Sequence, residues 1–186
     1  MNDNLALEKK ILEQKRKDIL NEVEQKKRYQ EEIQKKLISV TKEAKGSYSQ
    51  EKENTEKIYM LLKKEIENYE EALKNPYFGR VDFDEKFGSQ EKIYIGKKGI
   101  TSTYDGEEIV VDWRAPVADL YYSGTGGEAY YKAPMGVVEG DLNLKRKFLY
   151  NEENLSKIFD EGTNEIIING EEGEGLVDEF LKINLE

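Results

Sequence analysis

Residues 1–74 contain no proline and a single glycine, Gly46, and this stretch constrains the fold more than any other part of the chain. It is rich in Glu, Lys, Gln and Leu, which favour the α-helix. Along its first half, a seven-residue apolar track that only Lys26 breaks is formed by Leu5, Leu12, Ile19, Ile33 and Val40. Along its second half, a heptad seam with spacings of three and four is formed by Tyr59, Leu62, Ile66, Tyr69 and Leu73. The pattern predicts two long helices.

The two seams are separated by a short segment with turn and capping residues. Gly46 can end the first helix, and Ser47 or Ser49 can cap the second. Pro76 disfavours a helical residue before it, so the second helix should end at Asn75. We therefore predict an antiparallel helical hairpin, a coiled coil, over residues 1–75 with its tip near residues 45–50.

The two helices of this hairpin are unequal in length. Folding back from the tip places Leu73 opposite a residue near Asn21, so about 20 residues of the first helix extend past the base, roughly 30 Å at 1.5 Å per residue. Unless a second domain covers them, several apolar residues there would lie in water: Leu5, Leu7, Ile11, Leu12 and Ile19. We predict that they pack on the second domain.

From Pro76 onwards, short apolar runs alternate with turn residues, which is typical of β structure. Strands, some bent or interrupted, are predicted at Tyr77–Phe83, Lys92–Thr101, Glu108–Tyr122, Glu128–Gly140 and Leu142–Tyr150. Turns are predicted at Asp105-Gly106, at residues 123–127 and at residues 139–141. The sequence thus predicts an α+β fold in which a small, mostly antiparallel β domain over residues 76–150 follows the hairpin.

Residues 151–186 form an acidic extension with 2 basic and 11 acidic side chains. We predict a strand at Glu165–Asn169, a turn at Asn169-Gly170 and a short helix over Gly173–Ile183. The whole chain has a net charge of -10, and no strongly basic face is visible in the sequence. Because nucleic-acid binding depends on basic side chains that displace counterions from phosphates, we expect the chain alone to bind DNA or RNA weakly.

The composition removes several kinds of chemistry. The chain has no cysteine and no histidine, which excludes disulfides, thiol catalysis, cysteine-zinc sites and a histidine base. No apolar run approaches the roughly 20 residues that span a bilayer, and the first residues lack the apolar stretch of a secretion signal. We expect a cytoplasmic protein without a membrane partner, and we assign no catalytic, cofactor-binding or metal-binding residue.

Two short motifs invite an enzymatic interpretation. Gly96-Lys97-Lys98-Gly99 departs from the spacing of a phosphate-binding loop, so we interpret it as a β-turn. Asp112 and Asp119 could be an acid and a base of a carboxylate hydrolase. Their odd separation would place them on opposite faces of a regular strand, which argues against that hypothesis.

The run Asp112-Trp113-Arg114-Ala115-Pro116 has two further interpretations. In the first, Asp112 pairs with Arg114, and Trp113 anchors the core beside a strand bulge at Pro116. In the second, Trp113 and Arg114 form a surface that docks another domain or partner, since Trp and Arg are enriched among interface hot spots.

Three other motifs have a structural and a binding interpretation. Lys145-Arg146-Lys147 is interpreted as a solvated turn or strand edge in preference to a phosphate contact. Tyr121-Tyr122 and Tyr130-Tyr131 could stack on bases, but we favour one tyrosine of each pair in the core.

Five blocks in a fixed order carry a family resemblance. They are residues 76–83 (PYFGRVDF), 93–96 (IYIG), 111–117 (VDWRAPV), 131–136 (YKAPMG) and 144–148 (LKRKF). In this order they resemble the HelD-type relatives of the UvrD/Rep superfamily 1 helicases, the DNA helicase IV-like proteins. That family couples ATP hydrolysis to release of RNA polymerase. The resemblance implies that residues 1–75 are an arm for the secondary channel of RNA polymerase and that the β domain supports it.

The resemblance also implies what this chain lacks and what it contacts. The helicase core, with its ATP and Mg²⁺ site, would begin after Glu186, so the chain would be a non-catalytic N-terminal fragment without a cofactor of its own. Its partners would be RNA polymerase and the helicase core of the same chain. Family arms often carry an acidic tip, and here the tip offers Glu43, Glu51 and Glu53 among several lysines.

These implications give five candidate partner-binding residues: Glu43, Glu51, Glu53, Trp113 and Arg114. The alternative function is a structural coiled-coil dimerisation module with a β cap and no polymerase partner.

Overall fold

The computed structural model describes residues 3–161, 165–168 and 171–172. Helix α1 spans Asp3–Ala44, and helix α2 spans Gln50–Ala72. The two helices pack antiparallel, and ion pairs between them join Lys26 to Glu65, Lys27 to Glu70 and Lys36 to Glu51. The predicted helical hairpin and α+β fold are confirmed, and we call the hairpin from Lys26 to Tyr69 the arm.

The tip of the arm lies where the sequence predicts it. Gly46 adopts a φ of 79°, a left-handed conformation that glycine takes without a Cβ penalty. Ser49 caps α2, because its Oγ accepts a hydrogen bond from the Lys52 backbone N–H at 3.3 Å. α2 ends at Ala72, three residues before the predicted Asn75, and its last turn tightens as the Leu73 N–H bonds to both Tyr69 O and Glu70 O.

Within the described residues, a nine-stranded sheet follows the hairpin. Its strands are β1 (Gly79–Glu85), β2 (Gln90–Gly96), β3 (Ile100–Thr101), β4 (Glu108–Asp112), β5 (Gly127–Ala133), β6 (Gly136–Asn151), β7 (Asn154–Asp160), β8 (Glu165–Ile168) and β9 (Glu171–Glu172). The order is β3-β4-β2-β1-β6-β7-β8-β9, and β5 pairs with the first part of β6. Within the described strands, β2 and β4 pair in parallel and the other pairs are antiparallel.

The predicted strand Glu108–Tyr122 is wrong after Asp112. A 3₁₀ turn, Pro116–Ala118, and a short helix α3, Asp119–Ser123, follow β4 instead. Pro116 occupies the first position of the turn, where the missing N–H of proline costs nothing. The expected strand bulge at Pro116 is therefore a helical start.

The predicted turn at residues 139–141 is also wrong, because these residues lie inside the long strand β6. The chain reverses at Pro134-Met135 between β5 and β6. Gly140 allows β6 to approach β1 closely, since a Cβ at this position would lie 2.1 Å from Asp84 O on β1. The predicted Asp105-Gly106 turn, by contrast, connects the antiparallel strands β3 and β4 as expected.

The sheet continues past residue 150 through β7, which the sequence analysis did not predict. β8 matches the predicted strand Glu165–Asn169 to within one residue. The predicted Asn169-Gly170 turn and the predicted helix Gly173–Ile183 lie outside the described residues. Across the described part of the chain, none of the helices combines the length and apolarity that a bilayer crossing requires.

One face of the sheet packs against the N-terminal part of α1. The helix contributes Leu5, Leu12, Ile19 and Val23, and the β domain contributes mainly Tyr77, Tyr94, Ile100, Val110, Phe148 and Ile158. Ile11 packs at the margin of this core. The prediction that α1 packs on the second domain is thus confirmed for most of its apolar residues. It is wrong for Leu7, which lies two positions after Leu5 on the opposite side of the helix and is 51% exposed.

The other face of the sheet holds a second core. Its buried members are Val81, Phe83, Ile93, Ile95, Val111, Ala118, Leu120, Tyr121 and Leu142. Alternation along β2 places Ile93 and Ile95 in this core and Tyr94 in the core against α1. The segment of Pro116–Ser123 covers this second face with Ala118, Leu120 and Tyr121, so β1 and the second half of β2 are buried between α1 on one side and this segment on the other.

Replacing Ile19 tests whether α1 is an integral part of the β domain. Ile19 is fully buried, so Ile19→Ala should lower the free energy of unfolding by about 2–5 kcal/mol. Leu20, the next residue, is exposed, and Leu20→Ala should change it by less than about 0.5 kcal/mol. Urea denaturation of both variants measures the difference. Equal effects would contradict packing of α1 on the sheet.

Candidate partner-binding surfaces

Charged residues interrupt the buried seam of α1 at regular positions. Glu8, Lys15 and Glu22 each lie three residues after an apolar seam residue and seven residues apart. Glu8 has no exposed surface, and Glu22 is 3% exposed. The Lys15 ammonium donates to Ile109 O at 2.7 Å and lies 4.5 Å from the centre of the Tyr94 ring, and burial lowers its pKa. The face of α1 that meets the sheet is therefore partly ionic.

Opposite Glu8, a row of polar side chains crosses four neighbouring strands. Tyr94 on β2 pairs with Arg80 on β1, Arg80 pairs with Arg146 on β6, and Arg146 pairs with Asp160 on β7. The two arginines are buried and directly opposed, an arrangement that repels unless an anion lies between them.

Glu8 supplies that anion. Its Oε1 accepts hydrogen bonds from Arg80 Nη1 at 2.5 Å and from Arg146 Nη1 at 2.6 Å. Its Oε2 accepts a hydrogen bond from the Tyr94 hydroxyl at 3.1 Å. One carboxylate of α1 thus joins three adjacent strands of the sheet.

Two further carboxylates complete the pairing of the guanidinium groups. Asp82 accepts from Arg80 Nε and Nη2 at 2.7 and 2.8 Å, and Asp160 accepts from Arg146 Nε and Nη2 at 2.6 and 2.8 Å. Burial opposes the charged form of both arginines, but these charge-assisted bonds outweigh it and raise both pKa values. We call Glu8, Arg80, Asp82, Arg146 and Asp160 the ionic junction.

Arg16 makes a second connection at the base of the arm. Its Nε donates to Leu73 O at 2.9 Å, and its Nη2 donates to Lys74 O at 2.6 Å and to Glu153 O. A single guanidinium therefore joins α1, the end of α2 and the turn between β6 and β7. The ionic junction and Arg16 together hold the arm at a set orientation on the sheet.

At the tip of the arm, the structure brings Glu43, Glu51 and Glu53 to the ends of the two helices. Glu43 is exposed in the last turn of α1, and Glu51 lies 3.9 Å from Lys36 across the hairpin. Glu53 accepts a hydrogen bond from the Tyr48 hydroxyl at 2.9 Å, which lowers the pKa of Glu53 and raises that of Tyr48. Among the described residues, no three acidic side chains are grouped closely enough to hold a metal ion.

The segment after β4 is a tight turn organised by Asp112. Its Oδ1 accepts from the Arg114 backbone N–H at 2.8 Å and from Arg114 Nε at 3.0 Å, and its Oδ2 accepts from Arg114 Nη2 at 2.9 Å. These bonds lower the pKa of Asp112 from 3.8 to about 2. The predicted pair of Asp112 and Arg114 is confirmed. A carboxylate with so low a pKa is a weak base at neutral pH, which argues against Asp112 as a general base.

Trp113 does not anchor the core, so that interpretation was wrong. Its backbone N–H is held by Gly96 O at 2.9 Å, but its side chain is 47% exposed. Three residues further along the chain, Pro116 is the first residue of the lining of a groove between the segment 116–123 and β5, which also includes Asp119, Tyr130 and Lys132. We call Trp113, Arg114 and this groove the tryptophan surface. Trp113 and Arg114 remain predicted partner-binding residues.

The remaining motifs have structural roles. Gly96-Lys97-Lys98-Gly99 connects β2 to β3 and leads into no helix, as expected for a turn. A Cβ at Gly96 would lie 2.2 Å from Pro76 O, so this glycine permits close approach. Tyr121 is buried and Tyr131 packs on Phe83, while Tyr122 and Tyr130 are exposed, which confirms one core tyrosine per pair.

The interpretation of Lys145-Arg146-Lys147 as a solvated edge was wrong. The triplet lies on β6 between β1 and β7, and Arg146 belongs to the buried ionic junction. Lys145 pairs with Glu161 at 2.8 Å. Sequence reasoning missed this junction, although one signal pointed to it. Glu8 occupies a heptad position that apolar residues normally fill, so a buried partner of opposite charge was to be expected.

A comparison with protein-family models finds one that matches residues 5–173. Its description is "DNA helicase IV HelD, N-terminal domain". Among the curated proteins, no match was found. The matched range includes the arm, the ionic junction and the tryptophan surface.

Removal of the Glu8 carboxylate tests the ionic junction. Glu8→Ala leaves two opposed buried guanidinium groups without their shared anion and should cost about 3–5 kcal/mol of unfolding free energy. Glu13→Ala removes only an exposed pair with Lys17 and should cost at most about 1 kcal/mol. Urea denaturation measures both values. A cost for Glu8→Ala as small as that of the control would contradict the role of the junction.

The low pKa of Asp112 predicts a pH-dependent contribution to stability. Because the folded-state pKa lies below its usual value of 3.8, the stabilisation is complete above about pH 4 and is lost as the pH falls through about 2. Wild type should therefore exceed Asp112→Asn in stability at pH 7, and the difference should close towards pH 2. Denaturation midpoints from pH 2 to 7 measure it, and a constant difference would contradict this assignment.

Proposed function

Because the chain belongs to the family of DNA helicase IV HelD N-terminal domains, we propose that it is the non-catalytic N-terminal region of an ATP-dependent helicase-family protein that acts on RNA polymerase. In this proposal the arm enters the secondary channel of the polymerase and helps to release or recycle it. The single observation that carries the proposal is a long two-helix arm mounted on a sheet through a buried ionic junction.

The dimensions of the arm support insertion into a channel. α1 contacts the sheet through residues between Leu5 and Gln25. From Lys26 to Ala44 it pairs with α2, through the ion pairs of Lys26, Lys27 and Lys36, and these 19 residues correspond to about 28 Å at 1.5 Å per residue. A narrow rod of two helices fits a pore that would exclude a globular domain.

The surface of the arm supports a protein partner. Ile38 on α1 and Met60 and Leu61 on α2 are exposed, each at more than half of its surface. Charged side chains of both signs surround Met60 and Leu61, including Glu56, Lys57 and Lys64. A small apolar centre within a charged rim is the composition of many transient protein interfaces.

The rigid attachment of α1 to the sheet would allow force on the sheet to be transmitted to the arm. Glu8 and Arg16 fix α1 to the sheet at two points, so movement of the sheet would move the tip with it. The groove of the tryptophan surface lies on the face of the sheet opposite α1, beside the segment that covers the second core. We infer that this surface docks the helicase core of the same protein, which would supply ATP, Mg²⁺ and the hydrolysis step.

Binding to RNA polymerase tests the arm. Biolayer interferometry with purified polymerase should detect the wild-type chain, and the double variant Met60→Glu/Leu61→Glu should bind at least about tenfold more weakly if these residues are hot spots. Phe87→Glu is the matched control, because Phe87 is an exposed apolar residue at the turn between β1 and β2, away from the arm. It should leave the affinity unchanged.

Two outcomes would contradict this function. Absence of binding by the wild-type chain, both alone and within its full-length parent, would remove the polymerase hypothesis. A stable dimer in light scattering that dissociates in the Met60→Glu/Leu61→Glu variant would favour the dimerisation module instead.

A further inference from the structure

The sulfur atoms of this chain all belong to methionine. The sequence contains no cysteine and three methionines, Met1, Met60 and Met135. Met1 lies outside the described residues, so the structure places two thioethers, one on the arm and one at the turn between β5 and β6. A reversible oxidation of sulfur in this chain must therefore occur at a thioether.

Met60 lies on the outward side of α2, near the middle of the helix. Its side chain is 59% exposed, whereas Leu62 and Ile66 are buried on the other side of the same helix. The Met60 thioether therefore contributes little to the packing of the arm. A small oxidant in solution can reach it while α2 remains folded.

The surroundings of Met60 make its polarity important. Leu61 is the other apolar side chain in the shallow groove that contains Met60. The rest of the lining is charged and consists of Glu53, Glu56, Lys57, Lys63, Lys64 and Glu67. Lys57 and Lys64 lie three residues before and four residues after Met60, which places them beside it on one helix face. Met60 is thus one of the two side chains that make this surface apolar.

Oxidation would make this apolar centre polar. Hydrogen peroxide transfers one oxygen atom to the thioether: its O–O bond breaks and an S–O bond forms. Sulfur loses two electrons, and the proton of the transferred oxygen passes to the leaving oxygen, which departs as water. The product, methionine sulfoxide, carries a polar acceptor oxygen. In the free arm, water can donate to that oxygen, whereas in a dry interface an unpaired acceptor is costly.

We propose that Met60 is a reversible oxidation site through which peroxide releases the arm from its protein partner. This role rests on the proposed function, because it takes Met60 and Leu61 as the apolar centre of the arm interface. A thiol-dependent methionine sulfoxide reductase restores binding, since the sulfoxide oxygen leaves as water while two thiols become a disulfide. Met135 is fully exposed at the β5–β6 turn, away from the arm, and its oxidation has no such effect.

Peroxide footprinting of the complete chain tests whether Met60 is accessible and whether a partner covers it. In the free chain, peptide mass spectrometry should show Met60 oxidised at a rate within about threefold of that of Met135, because susceptibility follows exposure. In the complex with purified RNA polymerase, Met60 should be oxidised at least about fivefold more slowly, and Met135 should keep its rate.

Biolayer interferometry measures the effect of oxidation on binding. Peroxide treatment should weaken the binding of wild type to RNA polymerase at least about tenfold, and the reductase should restore it. Met60→Leu keeps an apolar side chain of similar volume but cannot form a sulfoxide. Whatever its starting affinity, that affinity should not change on treatment. Met135→Leu is the matched control, and peroxide should weaken its binding as much as it weakens that of wild type.

Three results would overturn this role of Met60 while the proposed function stands. They are slow oxidation of Met60 in the free chain, unchanged affinity after Met60 has been oxidised, and an equal loss of affinity in peroxide-treated Met60→Leu. Loss of native circular dichroism on oxidation would also overturn it, since unfolding would then explain the release. Absence of polymerase binding before oxidation would instead contradict the proposed function itself, and this role with it.

Discussion

The placement of Glu8 between Arg80 and Arg146 is the interaction on which the architecture depends. The two arginines face each other across β1 and β6 and are buried, so the sheet is electrostatically incomplete at this row. The missing anion is the carboxylate of Glu8 on α1, whose Oε1 lies 2.5 Å from Arg80 Nη1 and 2.6 Å from Arg146 Nη1. A single residue, Glu8, therefore both fixes the position of the helix and balances the charge of the sheet. An apolar pair at this place would bury area equally well but would tolerate sliding of the helix, whereas the three-way carboxylate contact sets its register.

The rest of the seam extends this logic along α1. Leu5, Leu12 and Ile19 supply burial, and the charged residue three positions after each of them contacts a polar group of the β domain. Glu8 meets the arginines, Lys15 meets Ile109 O, and Glu22 meets Thr103. Past Gln25 the same helix pairs with α2. One continuous helix thus serves first as a part of the β domain and then as half of the arm, and no hinge loop intervenes between the two roles.

Blocks that are scattered along the sequence meet at close-packed backbone positions. A Cβ at Gly79 would lie 2.4 Å from the Tyr121 ring, and a Cβ at Gly96 would lie 2.2 Å from Pro76 O. Tyr77 fills the space between these strands and α1, with ring centres 4.7 Å from Tyr94 and 5.1 Å from Phe148. The turn at Asp112 then directs Trp113 outward while the following residues cover the second core. Small and aromatic residues at these positions allow a thin sheet to be packed on both faces.

The sequence by itself determined the elements whose physics is local. Heptad spacing, Gly46 and Ser49 predicted the hairpin and its tip. The alternation of apolar and polar residues, together with an Asp-Gly turn, predicted most of the sheet. Both predictions succeeded because capping, turn conformation and side-chain periodicity involve residues a few positions apart. Gly140 misled the turn prediction because its role depends on Asp84, which is distant in sequence. Pro116 misled the strand prediction because a proline suits both a strand bulge and the first position of a helical turn. The tertiary structure alone decided that Trp113 faces outward and that Arg146 is buried. It also decided that Glu8 on α1 is the anion that pairs with Arg80 and Arg146. The contacts of Glu8 with Arg80 and Arg146 span 72 and 138 residues. Rules based on neighbouring residues do not apply over such distances. A charged residue on a buried seam indicates that a partner of opposite charge exists, but only the folded sheet determines which residue is that partner.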